Sequence, residues 1–306
     1  MVTVYAAASK KIVNTWKNRG KHMSMYNWKR KKSSTAVTEK ISEGVTWLSF
    51  PALEETGLVT HAFSTRMGGV SKGAYSTMNF SYTRGDDPEA VKENYRRMAK
   101  ALKVDMERMV LTWQTHTTNV RLVTPEDEGK GVIKDRDYRD VDGLITNRPG
   151  VTLVTFFADC VPLYFLDVKK KAIGLSHSGW RGTVNRMGKV TLEAMAQEFG
   201  TNPYDVTACI GPSICQDCYE VGPEVIEKFA DTFDKKDHER LFYEKRNGKF
   251  QLNLWEANRI VLMEAGIPEN QIFVTDICTH CNPDLLFSHR TSPEKRGNLC
   301  AFLCLK

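Results

Sequence analysis

One stretch limits the possible folds more than any other: Val161-Pro162-Leu163-Tyr164-Phe165-Leu166-Asp167, then Val168-Lys169-Lys170, then Lys171-Ala172-Ile173-Gly174-Leu175-Ser176-His177. Two apolar runs joined by a short polar break read as a β-hairpin, and a nearly continuous apolar strand is one buried on both faces. A chain carrying such a hairpin needs layers on both sides of the sheet that contains it. If the turn centres on Val168 and Lys169, antiparallel pairing matches Tyr164 with Ile173, Pro162 with Leu175 and Cys160 with His177. Partners of this kind have Cα atoms about 4.5–5.5 Å apart. A thiolate and an imidazole that close share a metal or form a nucleophile–base pair, and spacing leaves both open.

Other elements are legible around this hairpin. Val45–Phe50 and Leu58–Ser64 read as strands, followed by the glycine-rich turn Met67–Gly73. A helix starts after Asp87 as N-cap with Pro88 in the first turn, and Val91, Tyr95, Met98 and Leu102 form its apolar stripe. Met109–Trp113 and Asn119–Val123 read as strands flanking Gln114-Thr115-His116. Thr183–Phe199 reads as a helix stopped by Gly200, Val206–Ile210 and Gln271–Thr275 as strands, Pro223–Phe233 and Leu254–Glu264 as helices. Strands interleaved with helices and at least one hairpin predict an α+β class. The expected architecture is a single-domain αββα-type sandwich with mixed or antiparallel sheets.

Charge divides the chain unevenly. Residues 1–40 carry ten Lys/Arg and one acid, leaving 33 basic and 36 acidic residues for the remainder. The folded part is therefore slightly acidic, which argues against nucleic acid as its partner. Residues 1–40 are expected to be a basic, disordered extension, with Met23 or Met25 as the effective start, and 41–306 the catalytic domain. No apolar run approaches the ~18 residues of a membrane helix. Eight cysteines without a secretory signal point to a reducing cytoplasm.

Ser178–Gly182 forms a tight strand-to-helix turn in which glycines allow close backbone approach and Arg181 adds a cation, an expected phosphate or carboxylate site. The competing reading is a plain turn with Arg181 at the surface. Two further cysteine pairs, Cys215-Gln216-Asp217-Cys218 and Cys278-Thr279-His280-Cys281, have the C-x-x-C pattern of zinc ligands. The 59 residues between them far exceed the roughly 15–20 of compact zinc modules. Ordinary loop or core cysteines are expected there.

Several motifs occur together: Thr65–Ser71, Gln114-Thr115-His116, Phe157-Ala158-Asp159-Cys160-Val161-Pro162, His177-Ser178-Gly179-Trp180-Arg181-Gly182-Thr183, Ile210–Ile214, Leu252–Arg259 and Phe287-Ser288-His289-Arg290. On these the chain resembles the YfiH/YlmD family (laccase-domain, multicopper polyphenol oxidase-like, FAMIN-related) over residues 45–303. The resemblance implies a metal on His116, Cys160 and His177. That donor set suits Zn²⁺ with a fourth position open to water or substrate, and it also suits copper. The family usually has glycine where Thr117 stands, so the turn beside His116 is expected to differ, a β-branched residue being unsuited to φ > 0.

The resemblance also implies purine nucleosides and phosphate as substrates: phosphorolysis of adenosine, inosine and S-methyl-5'-thioadenosine, with adenosine deamination. Arg66, Arg181, Arg290 and His289 are the expected anion-binding residues. Cys160, His177 and Asp159 are the expected catalytic ones, Asp159 acting in acid/base chemistry or orienting a ligand. The alternatives are a copper polyphenol oxidase and a Cys160–His177 hydrolase or amidase editing peptidoglycan precursors. A monomer or homodimer is expected.

Overall fold

The computed structural model describes residues 24–31 and 36–306. Its first sheet runs β1 (Thr38–Ser42), β2 (Val45–Ser49), β3 (Val59–Ser64), β15 (Leu299–Leu305), β7 (Thr152–Phe157), β4 (Met109–Leu111). The second runs β14 (Ile272–Val274), β10 (Val206–Ile210), β8 (Val161–Asp167), β9 (Ala172–Ser178), β6 (Gly143–Thr146), β5 (Val120–Leu122). A small third sheet joins β11 (Glu220–Val221), β13 (Phe250–Leu252) and β12 (Phe242–Glu244). The helices are α1 (Pro51–Glu54), α2 (Pro88–Leu102), α3 (Trp180–Val184), α4 (Met187–Phe199), α5 (Pro223–Thr232), α6 (His238–Leu241) and α7 (Leu254–Glu264).

Side-chain alternation along the strands explains the layers. In β8, Val161, Leu163 and Phe165 face Leu192, Met195, Phe229 and Val261 of the helical layer, while Tyr164 and Leu166 face the first sheet. In β15, Ala301 and Leu303 meet the second sheet, while Cys300 and Phe302 pack on Tyr95 and Met98 of α2. Helix, sheet, sheet, helix is the expected αββα sandwich. Helix α2 has its Asp87 cap, accepting from Glu89 N–H, and closes on left-handed Lys103 (φ 57°).

The hairpin forms with a register two residues from the one expected: Tyr164 pairs with Leu175 and Pro162 with His177. The cause is the turn. Asp167 Oδ1 accepts from Lys169 and Lys170 N–H, both at 2.9 Å, and Lys171 takes φ 51°, giving a four-residue loop. Neither Val168 nor Lys169 suits the φ > 0 positions of a two-residue turn. A shift of two keeps every side chain on its expected face, so the layers are unaffected.

The expected helix over 183–199 starts earlier, at Trp180, and breaks at left-handed Arg186 (φ 59°) into α3 and α4. The expected boundary at residue 41 falls inside the packed unit. Trp28 and Val37 are buried, Arg30 makes two 2.9 Å bonds to the Asp276 carboxylate, and β1 pairs with β2 from Thr38 onward. The part of that expectation covering residues 1–23 and 32–35 lies outside the described residues. No helix among the described residues is long and apolar enough to cross a membrane.

Candidate metal centre and its cavity

The corrected register sets up the site. Continuing it one step beyond the strand ends puts Cys160 opposite Gly179, not His177. A Cβ at position 179 would lie 3.1 Å from Cys160 Sγ and 3.1 Å from His116 Cδ2, so glycine is what leaves room for three side chains to converge. His116, Cys160 and His177 do converge: one ligand atom from each lies within 4.8 Å of the others, with His116 Nε2 4.0 Å from Cys160 Sγ. A tetrahedral zinc with bonds of about 2.0–2.3 Å sets its nitrogen and sulfur donors roughly 3.5 Å apart, so modest closure completes the set. His177 is buried, Cys160 half-buried and His116 exposed, which leaves one side of the cluster open.

Each ligand has a local reason for its pose. Gln114 holds the end of β4 to β7, accepting from Phe156 N–H at 2.6 Å and donating to Phe156 C=O at 2.9 Å. Two residues on, His116 takes φ 67°. The positive φ therefore sits at the histidine and not at Thr117, whose N–H and hydroxyl bond Asp142 Oδ2 at 3.0 and 2.9 Å. Thr117 is no obstacle to this turn; it anchors it.

Asp142 is the organiser that sequence reading missed. Its carboxylate accepts from the N–H groups of Thr115, His116 and Thr117 and meets His177 Nδ1 at 2.8 Å. Burial opposes charge on Asp142, and these hydrogen bonds outweigh it, holding the carboxyl below its ordinary range. With Nδ1 bonded to Asp142, His177 has Nε2 free for a ligand. Asp159, expected to act in acid/base chemistry or to orient a ligand, has its carboxylate engaged by the protein's own donors. Buried at φ 90°, it accepts from Thr279 Oγ1, Ser288 Oγ and Arg290 N–H at 2.6, 3.0 and 2.7 Å, fixing the loop that carries Cys160.

Burial also opposes charge on Cys160 and His177. Their mutual attraction outweighs it, assisted by His116 on the sulfur and Asp142 on the ring, drawing the thiol down to about 6 and pushing the imidazole up to about 9. Both shifts favour a thiolate paired with an imidazolium when no metal is bound; metal binding would keep the thiolate and displace the imidazolium proton.

The three residues border a cavity of about 420 Å³, within the range of small-molecule sites, whose wall includes Tyr82, Trp113, Phe157, Arg84, Arg136 and Arg296. Arg136 stacks on Trp113, 4.5 Å from the ring centre. Arg296 is buried, donates to Asn298 Oδ1 at 2.6 Å, and leaves its Nε without a partner among the described residues. Burial and the like charge of Arg84 lower its affinity for the proton to about 10.

Of the expected anion binders, none lines this cavity. Arg66 donates to the Ser76 and Pro283 carbonyls and lies over Phe287. Arg290 bonds the Glu220 carbonyl beside Tyr219, and Arg181 lies over Trp180. His289 is largely exposed near Arg296 and Arg84. No spacing pattern marks Arg84, Arg136 or Arg296 in the sequence, because the cavity draws them from separate loops.

The profile described as multi-copper polyphenol oxidoreductase laccase matches residues 60–306. The chain belongs to this family. The laccase-type chain is 35% identical over 252 residues to the Bacillus subtilis (strain 168) protein named purine nucleoside phosphorylase YlmD, covering 81% of this chain and 89% of that one. It is 36% identical over 235 residues to a protein named adenosine deaminase RL5 from an unknown prokaryotic organism, covering 75% and 87%. It superimposes on the crystal structure of Bacillus licheniformis YfiH with TM-score 0.82 at 34% identity, over 88% of this chain and 99% of that one. This laccase-type chain is an enzyme, and its family and its His116–Cys160–His177 cluster both indicate a metal.

Proposed function

We propose that the enzyme splits purine nucleosides with phosphate, releasing the base and ribose 1-phosphate from adenosine and inosine and the base and 5-methylthioribose 1-phosphate from S-methyl-5'-thioadenosine, and that it also deaminates adenosine. The observation carrying this reading is the juxtaposition of a three-ligand cluster with a cavity walled by aromatic rings and cations. The names of the relatives supply the substrate class.

His116, Cys160 and His177 are the proposed metal ligands, with zinc as the metal; copper fits the same donors. Bound there, zinc supplies a Lewis acid and an acidified water. The chain's own residues do the rest. Asp142 fixes His177 and, through backbone N–H groups, the turn bearing His116. Arg296, with its unpartnered Nε, and Arg84 hold the phosphate dianion. Tyr82 provides a face on which a purine stacks, and Trp113, covered by Arg136 and Arg139, extends that wall.

A second reading draws on the line Asp142–His177–Cys160, which is also the order of an orienter, a base and a thiol nucleophile. One experiment separates them. Zinc-loaded protein is given adenosine with and without phosphate, and adenine, inosine and ribose 1-phosphate are followed. Phosphate-dependent adenine and ribose 1-phosphate are expected; no product from any purine nucleoside would overturn the proposal. Cys160→Ala is expected to lose the metal of the His116–Cys160–His177 cluster together with turnover, whereas turnover lost with the zinc count unchanged from wild type identifies a nucleophile.

A further inference from the structure

The four cysteines expected to be unrelated lie together. The sulfurs of Cys215, Cys218, Cys278 and Cys281 are all within 4.8 Å of one another. We propose that they form a second metal centre, a structural zinc held by four thiolates, separate from the centre at His116, Cys160 and His177. This inference does not rest on the proposed reaction.

The arrangement follows from strand direction. β10 and β14 pair in parallel, so both chains leave the second sheet at the same end. They stay together beyond it: Ser213 bridges Cys278, and Thr279 N–H bonds Ser213 C=O at 3.1 Å. Each continuation then carries one C-x-x-C turn, the first tightened by Cys218 N–H on Cys215 C=O at 3.1 Å. Parallel pairing brings together what 59 residues separate, and sequence spacing carries no trace of it.

The geometry suits one ion. Zinc–sulfur bonds of about 2.3 Å in a tetrahedron give sulfur–sulfur edges near 3.8 Å. Cys218 and Cys281 lie 3.5 Å apart, and the backbone N–H of Cys215 points at Cys278 Sγ, 3.3 Å away, as a donor to a thiolate. Lys31, bonded to Asp217 at 3.0 Å, supplies positive charge beside Cys215 and Cys281. Four protein ligands leave no position for water, the mark of a structural site and not a catalytic one. The site braces the other centre, since Ile214 N–H bonds Asp159 C=O and Thr279 bonds the Asp159 carboxylate, next to Cys160.

The test is a metal count on the folded full chain purified with zinc. Wild type is expected to hold two zinc ions per chain, one for each cluster. Cys160→Ala is expected to keep one, and Cys281→Ser to lose one while Cys160 still binds the other. Should Cys281→Ser not fold, cobalt substitution of Cys160→Ala decides, with strong thiolate-to-metal charge transfer and tetrahedral d–d bands expected. Zinc lost entirely with Cys160→Ala, disulfides among the four cysteines on peptide mapping, or bound iron in place of zinc would each overturn the proposal. None of these readouts depends on nucleoside turnover.

Discussion

Asp142 holds more of the metal centre than any ligand does. One buried carboxylate bonds three successive backbone N–H groups around His116 and the ring of His177, tying a proposed ligand in the turn between β4 and β5 and one in β9 to one point. Asp142→Asn replaces an acceptor-only group with one that also carries N–H donors facing those amides. Zinc affinity is expected to drop about 10–100-fold in a competitive chelator titration, with the fold intact by circular dichroism. Arg296 is the proposed contact to phosphate instead. Arg296→Gln removes its charge from the cavity wall, and the KM for phosphate is expected to rise roughly tenfold or more while zinc content stays at the wild-type level. The proposed ligand triad was legible in the sequence only through linked motifs. Asp142 and Arg296 were not, since a single Asp or Arg acting through tertiary contacts leaves no periodicity or spacing.

At the scale of elements, the hairpin and most helices were readable because their determinants are local: alternation, the Asp87 cap, the Gly200 stop. What failed were features set by side-chain detail or distant pairing. The Asp167 side chain lengthened the hairpin turn, left-handed Arg186 split one helix in two, and parallel β10–β14 gathered four cysteines. The joint between α1 and β3 gives a pH test. His61 in β3 is buried between Phe50 and Tyr164, and its Nε2 accepts the Phe50 N–H at 2.8 Å. Burial lowers its affinity for protons from the ordinary 6.5 to about 4. Above pH 6.5 the ring is neutral whether folded or not. Below it only the unfolded chain takes up the proton, so stability falls as pH drops from 6.5 toward 4, by on the order of 3 kcal/mol. Denaturant titrations are expected to show a shallower acid-side decline in His61→Gln, whose side-chain carbonyl can still take the Phe50 N–H.

Over the whole molecule, three apolar layers follow from two sheets with both faces covered, and segments distant in sequence complete each other. Residues 24–31 dock on the loops after β14 through Arg30 and Asp276. β15 lies in the middle of the first sheet, paired with β3 on one side and β7 on the other, and Lys306 N–H bonds Leu58 C=O. Deleting Leu299–Lys306 would open that sheet through its centre and expose β3 and β7 as facing edges. The truncated protein is expected to be insoluble on expression, or to lack a cooperative thermal transition.

A nascent copy of this protein therefore cannot close its first sheet until Leu299–Leu305 has cleared the ribosome, after β3 and β7 have already been made. Until then β3 and β7 wait without their shared neighbour, each with one edge unpaired and open to the wrong partner.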